Sequence, residues 1–579
     1  LFRKIISFIN KSSTFLRRTF ENKKIFLGGK SMKKRLSILF SLMVVLSLFL
    51  SACGGFKKGD ESTGEKGKSG SKTANVPQEL HINIKTEPFS LNPGLANDSV
   101  SANVLYQTFE GLTRIKDGKP QLAMAESYQV SKDLKTYTFK LRDAKWTNGD
   151  PVTAKDFEYA WKWALDPKNQ SQYAYQLYYI KNAQAFNEGK AKAEDVGVKA
   201  IDDKTLQVTL ENPTPYFLEL TAFYTYFPVN SKIAAKNPKW YTNAGPDYTS
   251  NGPFKMVTWD HNNKIVLEKN ENYWDAKSVK LTKIEMVMVN DTNTELSMFN
   301  NGELDWAGMP TGQLPPDSLS QLKEQGKLHV QPIAGTYWYK FNTEKPPLNN
   351  VNIRKALAYA INRKAIVENI AKGEQIPAMA AVPPTMFPEN KKGYFKDNDV
   401  EKAKEYLKKG LQELGLKDVK DLPPITLSYN TDDVHAKIAQ AIQDMWKKNL
   451  GIEVKLENAE WAVYIDKLHS GDYQIGRMGW LGDFNDPINF LELFRDKKGG
   501  NNDTNWENPK YKQLLIDSQK ETDPEKRKEM LKQAEAILMD EMPVAPIYFY
   551  TNTWVQKDNL KGVEMSGLGD VQFKWAYFE

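Results

Sequence analysis

An α/β architecture is what this 579-residue sequence predicts, and three observations carry that reading. Strand-like and helix-like stretches alternate from about Val76 onward, with no low-complexity block and no short-period repeat. "TYTFKLR" alternates as a half-buried strand does, and "TAKDFEYAWKWAL" then opens a helix with Thr153 placed to cap it and Asp156 three residues later. Nearer the C-terminus, "GIEVKLEN", "EWAVYIDKLHSG" and "DYQIGRMGWLGDF" read as strand, helix and strand. A βαβ rhythm of this kind builds α/β lobes with largely buried sheets. The length corresponds to about two to four domains.

The chain begins "LFRKIISFINKSSTFLRRTFENKKIFLGGKS" and reaches its first methionine at Met32. Gly28-Gly29-Lys30-Ser31 is not a phosphate loop, because the position that needs a further glycine holds Lys24. Gly-Gly codons just upstream of Met32 suit a bacterial ribosome-binding site, so residues 1–31 read as untranslated leader. From Met32 the pattern is that of a secretory signal, with Lys33, Lys34 and Arg35, an apolar run from Leu36 to Leu50, and small Ser51 and Ala52. The run has 15 residues, short of the roughly 20 that a spanning helix needs. Leu50-Ser51-Ala52-Cys53 resembles the lipobox of bacterial lipoproteins, which implies cleavage before Cys53 and lipidation of its thiol.

Residues 1–52 carry a net charge of +10, so the +7 of the whole chain becomes −3 from Cys53 onward, and basicity offers no argument for nucleic acid. The segment from Gly54 to Asn75 is rich in Gly, Ser and Lys and reads as a flexible tether with a reach of about 26 Å.

The body shows no H-E-x-x-H and no G-x-S-x-G motif, and Cys53 is the only cysteine. His81, His261, His329, His435 and His469 are too scattered to suggest a metal cluster. A carboxylate-pair hydrolase stays open on spacing alone.

Helical periodicity continues in "DDVHAKIAQAIQDMWKKNLG", where Ile438, Ile442, Met445 and Trp446 share a face and Gly451 ends the helix. Five segments, "YTFKLRDAKWTNGDPVTAKDFEYAWKWALDP", "SNGPFKMVTWDHNNKIVLEKNENYW", "FNTEKPPLNNVNIRKALAYAINRKAIV", "GWLGDFNDPINFLELF" and "PVAPIYFYTNTWV", resemble, in order, signature segments of the oligopeptide-binding proteins of ABC importers. The resemblance runs from about Leu80 to the C-terminus. It implies two α/β lobes of the periplasmic-binding-protein kind with an additional domain and a ligand cleft between the lobes. The corresponding boundaries are 76–109 with 237–335 and 552–579 for lobe I, 110–236 for the additional domain, and 336–551 for lobe II. Close relatives carry dipeptides, signalling peptides, murein peptides or nickel, so a narrow receptor for one peptide stays open.

The same resemblance implies a set of ligand contacts. Asp483 matches the acid that pairs with the ligand α-ammonium, and Arg477 and His435 match groups that meet its carboxylate at different ligand lengths. Asn97-Asp98-Ser99 and Gly479-Trp480-Leu481 match the two segments that pair with the peptide backbone. Trp461, Trp480, Tyr550 and Tyr173 match aromatics that line the cavity. Taken alone, Asp483 would read as a helix cap, Arg477 as half of a surface ion pair, and His435 as a polar first-turn residue. Strand alternation sets Arg477, Gly479, Leu481 and Asp483 on one face, and Gly479 and Gly482 are expected to let the strand bend. Leu468 departs from one branch of the family, which has an arginine there near the ligand.

The expectation is a monomeric receptor, lipid-anchored on the extracytoplasmic face of the cell membrane, that binds oligopeptides for an ABC permease. It needs no cofactor, metal or nucleic acid and is not an enzyme. Intact mass of the cellular protein should show a chain that starts at Cys53 and carries acyl chains. Cys53→Ala should release the protein or block its processing while peptide binding survives, whereas recovery of residues 1–31 would overturn the Met32 start.

Overall fold

The computed structural model describes residues 76–498 and 501–579, and the leader, signal, tether and Cys53 lie outside them. The described residues form one compact unit. Its main sheet has the strand order β15-β14-β16-β12-β17-β11-β1-β10-β9-β8. Here β1 is Glu79–Asn83, β8 Phe254–Asp260, β9 Lys264–Lys269, β10 Lys283–Val287, β11 Trp306–Gly308 and β12 His329–Phe341; β14 is Ile425–Asn430, β15 Val454–Ala459, β16 Ile475–Leu481 and β17 Val544–Gln556. A short β13, Ile376–Pro377, also pairs with β17.

Two halves are visible in this order, and only β12 and β17 belong to both. His329–Pro332 pairs with Thr551–Trp554, close to where β17 also pairs with β11. Further along β12, Gly335–Phe341 pairs with β16. The register between β12 and β17 shifts twice, between Pro332 and Thr336 and between Tyr337 and Trp338. Proline lacks the N–H that a regular ladder requires. Pro332 sits at the first shift and Pro546, opposite Trp338, at the second, so these residues mark where the pairing gives way.

In one half, β14, β15 and β16 form a parallel βαβαβ unit through helices Asp433–Leu450 and Trp461–His469. The first of these helices, which we label α3, ends at Gly451 with φ +72°, a conformation glycine adopts without penalty. Its Ile438, Ile442 and Trp446 are fully buried against Leu427 and Ile475, each worth about 1.5–3 kcal/mol of apolar burial. Met445 lies at the border of that face, where its Sδ accepts the N–H of Asn362.

Between β1 and β8 the chain adds a separate antiparallel sheet in the order β4-β5-β7-β6, formed by Ala125–Val130, Thr136–Leu141, Thr205–Thr209 and Val198–Asp202. Tyr137, Phe139 and Leu141 alternate inward as the sequence predicts. Helix α2, Ala154–Leu165, packs on this sheet and starts with a capping box between Thr153 and Asp156. Helix α1 is Ser99–Thr108.

A buried ion pair joins these parts. The Arg114 Nε donates to Glu110 Oε1 at 2.6 Å, and its Nη1 reaches Gln572 Oε1 at 2.8 Å near the C-terminus. Burial alone would raise the Glu110 carboxyl, but Arg114 and Lys574 beside it bring it below the ordinary range. Replacing Arg114 by Met would leave that buried charge with the Trp274 N–H and the more distant Lys574. The expected loss is about 3–5 kcal/mol of stability in urea unfolding, and a loss under about 1 kcal/mol would show that these two suffice.

Candidate ligand-binding site

Strand β16 is paired along its length on one side and largely bare on the other. Hydrogen bonds from Gly482 N to Ala334 O and from Asn342 N to Gln474 O show that its even-numbered residues face β12. The N–H and C=O groups of Arg477, Gly479 and Leu481 therefore face the opposite edge. There β14 pairs only as far as Ser428 with Gly476. Tyr464 Oη donates to Arg477 O at 2.5 Å, and the edge from Gly479 to Leu481 has no neighbouring strand among the described residues.

Opposite charges flank this free edge. Arg477 is half-buried; its Nη1 donates to Asn430 Oδ1 and its Nη2 to Tyr550 Oη, each at 3.2 Å. The guanidinium lies 4.6 Å from the ring centre of Tyr337, and its buried Nε has no hydrogen-bond partner. Among the described residues no carboxylate pairs with it. His435, on the first turn of α3, has its Nδ1 3.4 Å from Tyr337 Oη and 3.6 Å from Asp432 Oδ1. Burial, and then the charge of Arg477, pushes this imidazole down to about 4, so it is neutral at physiological pH.

At the other end, Asp483 accepts a hydrogen bond from Tyr175 Oη at 3.3 Å, and its backbone N–H donates to Asn489 Oδ1 at 3.1 Å. Trp480 Nε1 donates to the same Asn489 oxygen at 2.9 Å, which clamps the turn after β16. Burial pushes the Asp483 carboxyl up to about 7, and the nearby charge of Asp570 adds to the rise. The helix-cap reading of Asp483 fails. Asp486 instead accepts the N–H of Ile488 at 3.0 Å and forms a bidentate pair with Arg527 at 2.7 and 2.8 Å.

β16 keeps an unbroken register with β12 from Ile475 to Leu481, so no bulge interrupts it at Gly479, and the strand ends just before Gly482. These glycines permit close approach: a Cβ at Gly479 would lie 2.7 Å from Tyr550 Oη, and one at Gly482 2.5 Å from Met386 Cε. Leu481 is exposed beside Gly335, where a Cβ would meet its side chain at 2.6 Å. Leu468 is fully buried with Tyr464 and Tyr473.

The remaining candidates are more dispersed. Asn97 Nδ2 donates to Gln172 Oε1 at 2.5 Å, Asp98 caps α1 by accepting the N–H of Ser101, and Ser99 is exposed at the helix start. These three residues form no strand. Tyr173 stacks on Phe223, with ring centres 5.7 Å apart. Trp461 is 50% exposed at the start of its helix, which rules out core packing for it. Tyr175, Tyr337, Asn430, Asn489 and Asp570 surround the charged residues without having been singled out from sequence. Alternation along "GTYWYKF" could have flagged Tyr337, but the others carry no local signal.

A two-lobed α/β fold with a free strand edge between Arg477 and Asp483 has the form of a binding protein rather than a structural scaffold. Residues 119–502 match the model of bacterial extracellular solute-binding proteins, family 5, and the chain belongs to that family. It is 68% identical over 552 residues to the oligopeptide-binding protein OppA of Bacillus subtilis, with 95% of this chain and 100% of that protein covered. The structure of OppA from Haemophilus influenzae in complex with RPPGFSPFR matches with a TM-score of 0.73 at 33% identity, covering 87% of this chain and 99% of that one. Listeria monocytogenes OppA bound to peptide matches with a TM-score of 0.71 at 35% identity and the same coverages.

The raised carboxyl gives a signed prediction. A cationic ligand group docked on Asp483 favours its ionised form, so binding releases a proton below about pH 7. Affinity should be full above that pH and fall as the pH drops toward 5, by up to about tenfold per unit. Calorimetry in buffers of different ionisation enthalpy measures the proton, and Asp483→Asn should abolish its release. An unchanged release in that variant would exclude Asp483 as its source.

Proposed function

We propose that this protein is an extracytoplasmic receptor that captures oligopeptides in a cleft between its lobes and delivers them to a membrane ABC permease. The observation that carries the proposal is the pairing of unmet needs in the site. A peptide offers a backbone for the bare edge at Gly479–Leu481, an α-ammonium for Asp483 and a carboxylate for Arg477. Strand addition recognises any sequence, which suits a receptor of broad range. His435 serves the carboxylate of ligands of another length, and Asn97–Ser99, Tyr173, Trp461, Trp480 and Tyr550 line the remainder. The relatives named for oligopeptide binding, and those solved with peptide bound, support this reading.

The lobes close by hinge motion about β12 and β17, for which the register shifts at Pro332 and Pro546 supply the give. Lobe I then comprises 76–109, 237–335 and 552–579, the additional domain 110–236, and lobe II 336–551. The receptor is a monomer, is lipid-anchored through Cys53, and leaves peptides intact. No helix among the described residues is long and apolar enough to cross a membrane. Among those residues, no group of three His, Cys, Asp or Glu side chains could hold a metal ion.

The test is a double-mutant cycle across the proposed ion pair. Asp483→Asn and N-acetylation of the peptide each break it, at about 2–5 kcal/mol apiece. Together they remove both charges, so the combined loss should fall short of the sum by roughly 1 kcal/mol or more. Losses that add within about 0.5 kcal/mol, or undiminished binding of acetylated peptide by the wild type, would remove Asp483 from the site.

A further inference from the structure

A cavity of about 350 Å³ opens beside Asp483, within the range of about 300–1,000 Å³ usual for ligand pockets. Asp483 and Trp480 form one wall; Tyr179, Tyr216 and Phe484 form an aromatic one, in which Tyr216 and Phe484 stack at 4.8 Å. Glu492 lies across the cavity, with Oε1 accepting from Tyr179 Oη at 3.0 Å. Its carboxylate has no ion pair, because the one guanidinium in the lining, Arg495, has its Nε on Asp496 Oδ2 at 2.8 Å. The cavity thus faces four carboxylates, Glu211, Asp483, Glu492 and Asp496, against a single cation. Burial pushes Glu492 up to about 7, against the opposing pull of the Tyr179 hydrogen bond and of the more distant Arg495 charge.

We propose that this cavity is the pocket for the side chain of the ligand's first residue and that Glu492 selects a basic side chain there. The inference rests on the reading of Asp483 as the α-ammonium partner. A side chain that leaves the Cα next to that ammonium enters the cavity in whose wall Asp483 stands. The aliphatic stem of a lysine or arginine then covers the rings of Tyr216 and Phe484 while its charged head meets Glu492. A norleucine side chain fills the same space without that ion pair, and a glutamate side chain adds a fifth carboxylate.

The experiment measures Kd at neutral pH for tetrapeptides X-Ala-Ala-Ala with X as lysine, norleucine or glutamate. Wild type should bind the lysine peptide roughly fivefold or more tightly than the norleucine peptide, beyond what an exposed ion pair supplies, and the glutamate peptide most weakly. Glu492→Gln should bring the lysine-to-norleucine ratio close to one, and circular dichroism and thermal unfolding report that the variant is folded. Equal affinity of wild type for the lysine and norleucine peptides overturns the inference without any variant. A lysine preference that survives in Glu492→Gln overturns the role of Glu492. If Asp483→Asn leaves the norleucine peptide's Kd unchanged, the α-ammonium reading fails and takes this pocket assignment with it, whereas a large loss there with a flat wild-type series rejects the pocket alone.

Discussion

The pairing of β12 with β17 is the constraint on which the molecule depends, because no other strand belongs to both halves of the main sheet. β16 hangs on β12, and β1 is reached from β17 through β11. The irregular stretch around Pro332–Thr336 is not left bare. Ala334 accepts the N–H of Gly482 at 2.7 Å and donates its own to Gly567 at 2.8 Å. This chain of bonds links the turn that carries Asp483 to the loop that carries Asp570, so the site is built against the crossover itself.

Charge satisfaction elsewhere in the protein throws the cleft into relief. The fully buried Arg363 donates to the carbonyls of Pro546, Ala358 and Ile361 and meets Asp397 at 3.2 Å. Glu535, equally buried, accepts from the N–H groups of Ala381 and Val382 and from Asn390 and Tyr394. Both follow the rule that buried charges are paired or richly hydrogen-bonded. Arg477 and Asp483 have hydrogen bonds but no counter-ion among the described residues, a condition that costs stability.

What could be read from sequence followed the range of the forces involved. The capping box at Thr153 and Asp156, the stop at Gly451 and the buried face of Ile438, Ile442 and Trp446 are local, and all three stand in the structure. Read locally, Asp483 would cap the short helix that follows, but its carboxylate meets Tyr175, 308 positions away. The free edge at Gly479–Leu481 was reached only through the family resemblance, because it depends on where β14 diverges. The neighbours that need the missing side chains of Gly479 and Gly482, Tyr550 and Met386, come from distant parts of the chain and leave no local signal.

Gln78, just ahead of β1, grips the far end of the chain: its Nε2 donates to Phe578 O at 2.8 Å, and its Oε1 accepts from Phe578 N at 3.0 Å. Gln107 does the same with Val571 O and Phe573 N, each at 2.9 Å. The first clamp spans 500 positions. At synthesis rates of about 5–20 residues per second, its second half leaves the ribosome roughly 25–100 s after its first. During that interval Leu80 and Ile82, fully buried in the finished protein, lack their complete enclosure. The segment that carries β1 is thus among the last parts of this body to be sealed, and until then its apolar residues stay open to chaperones.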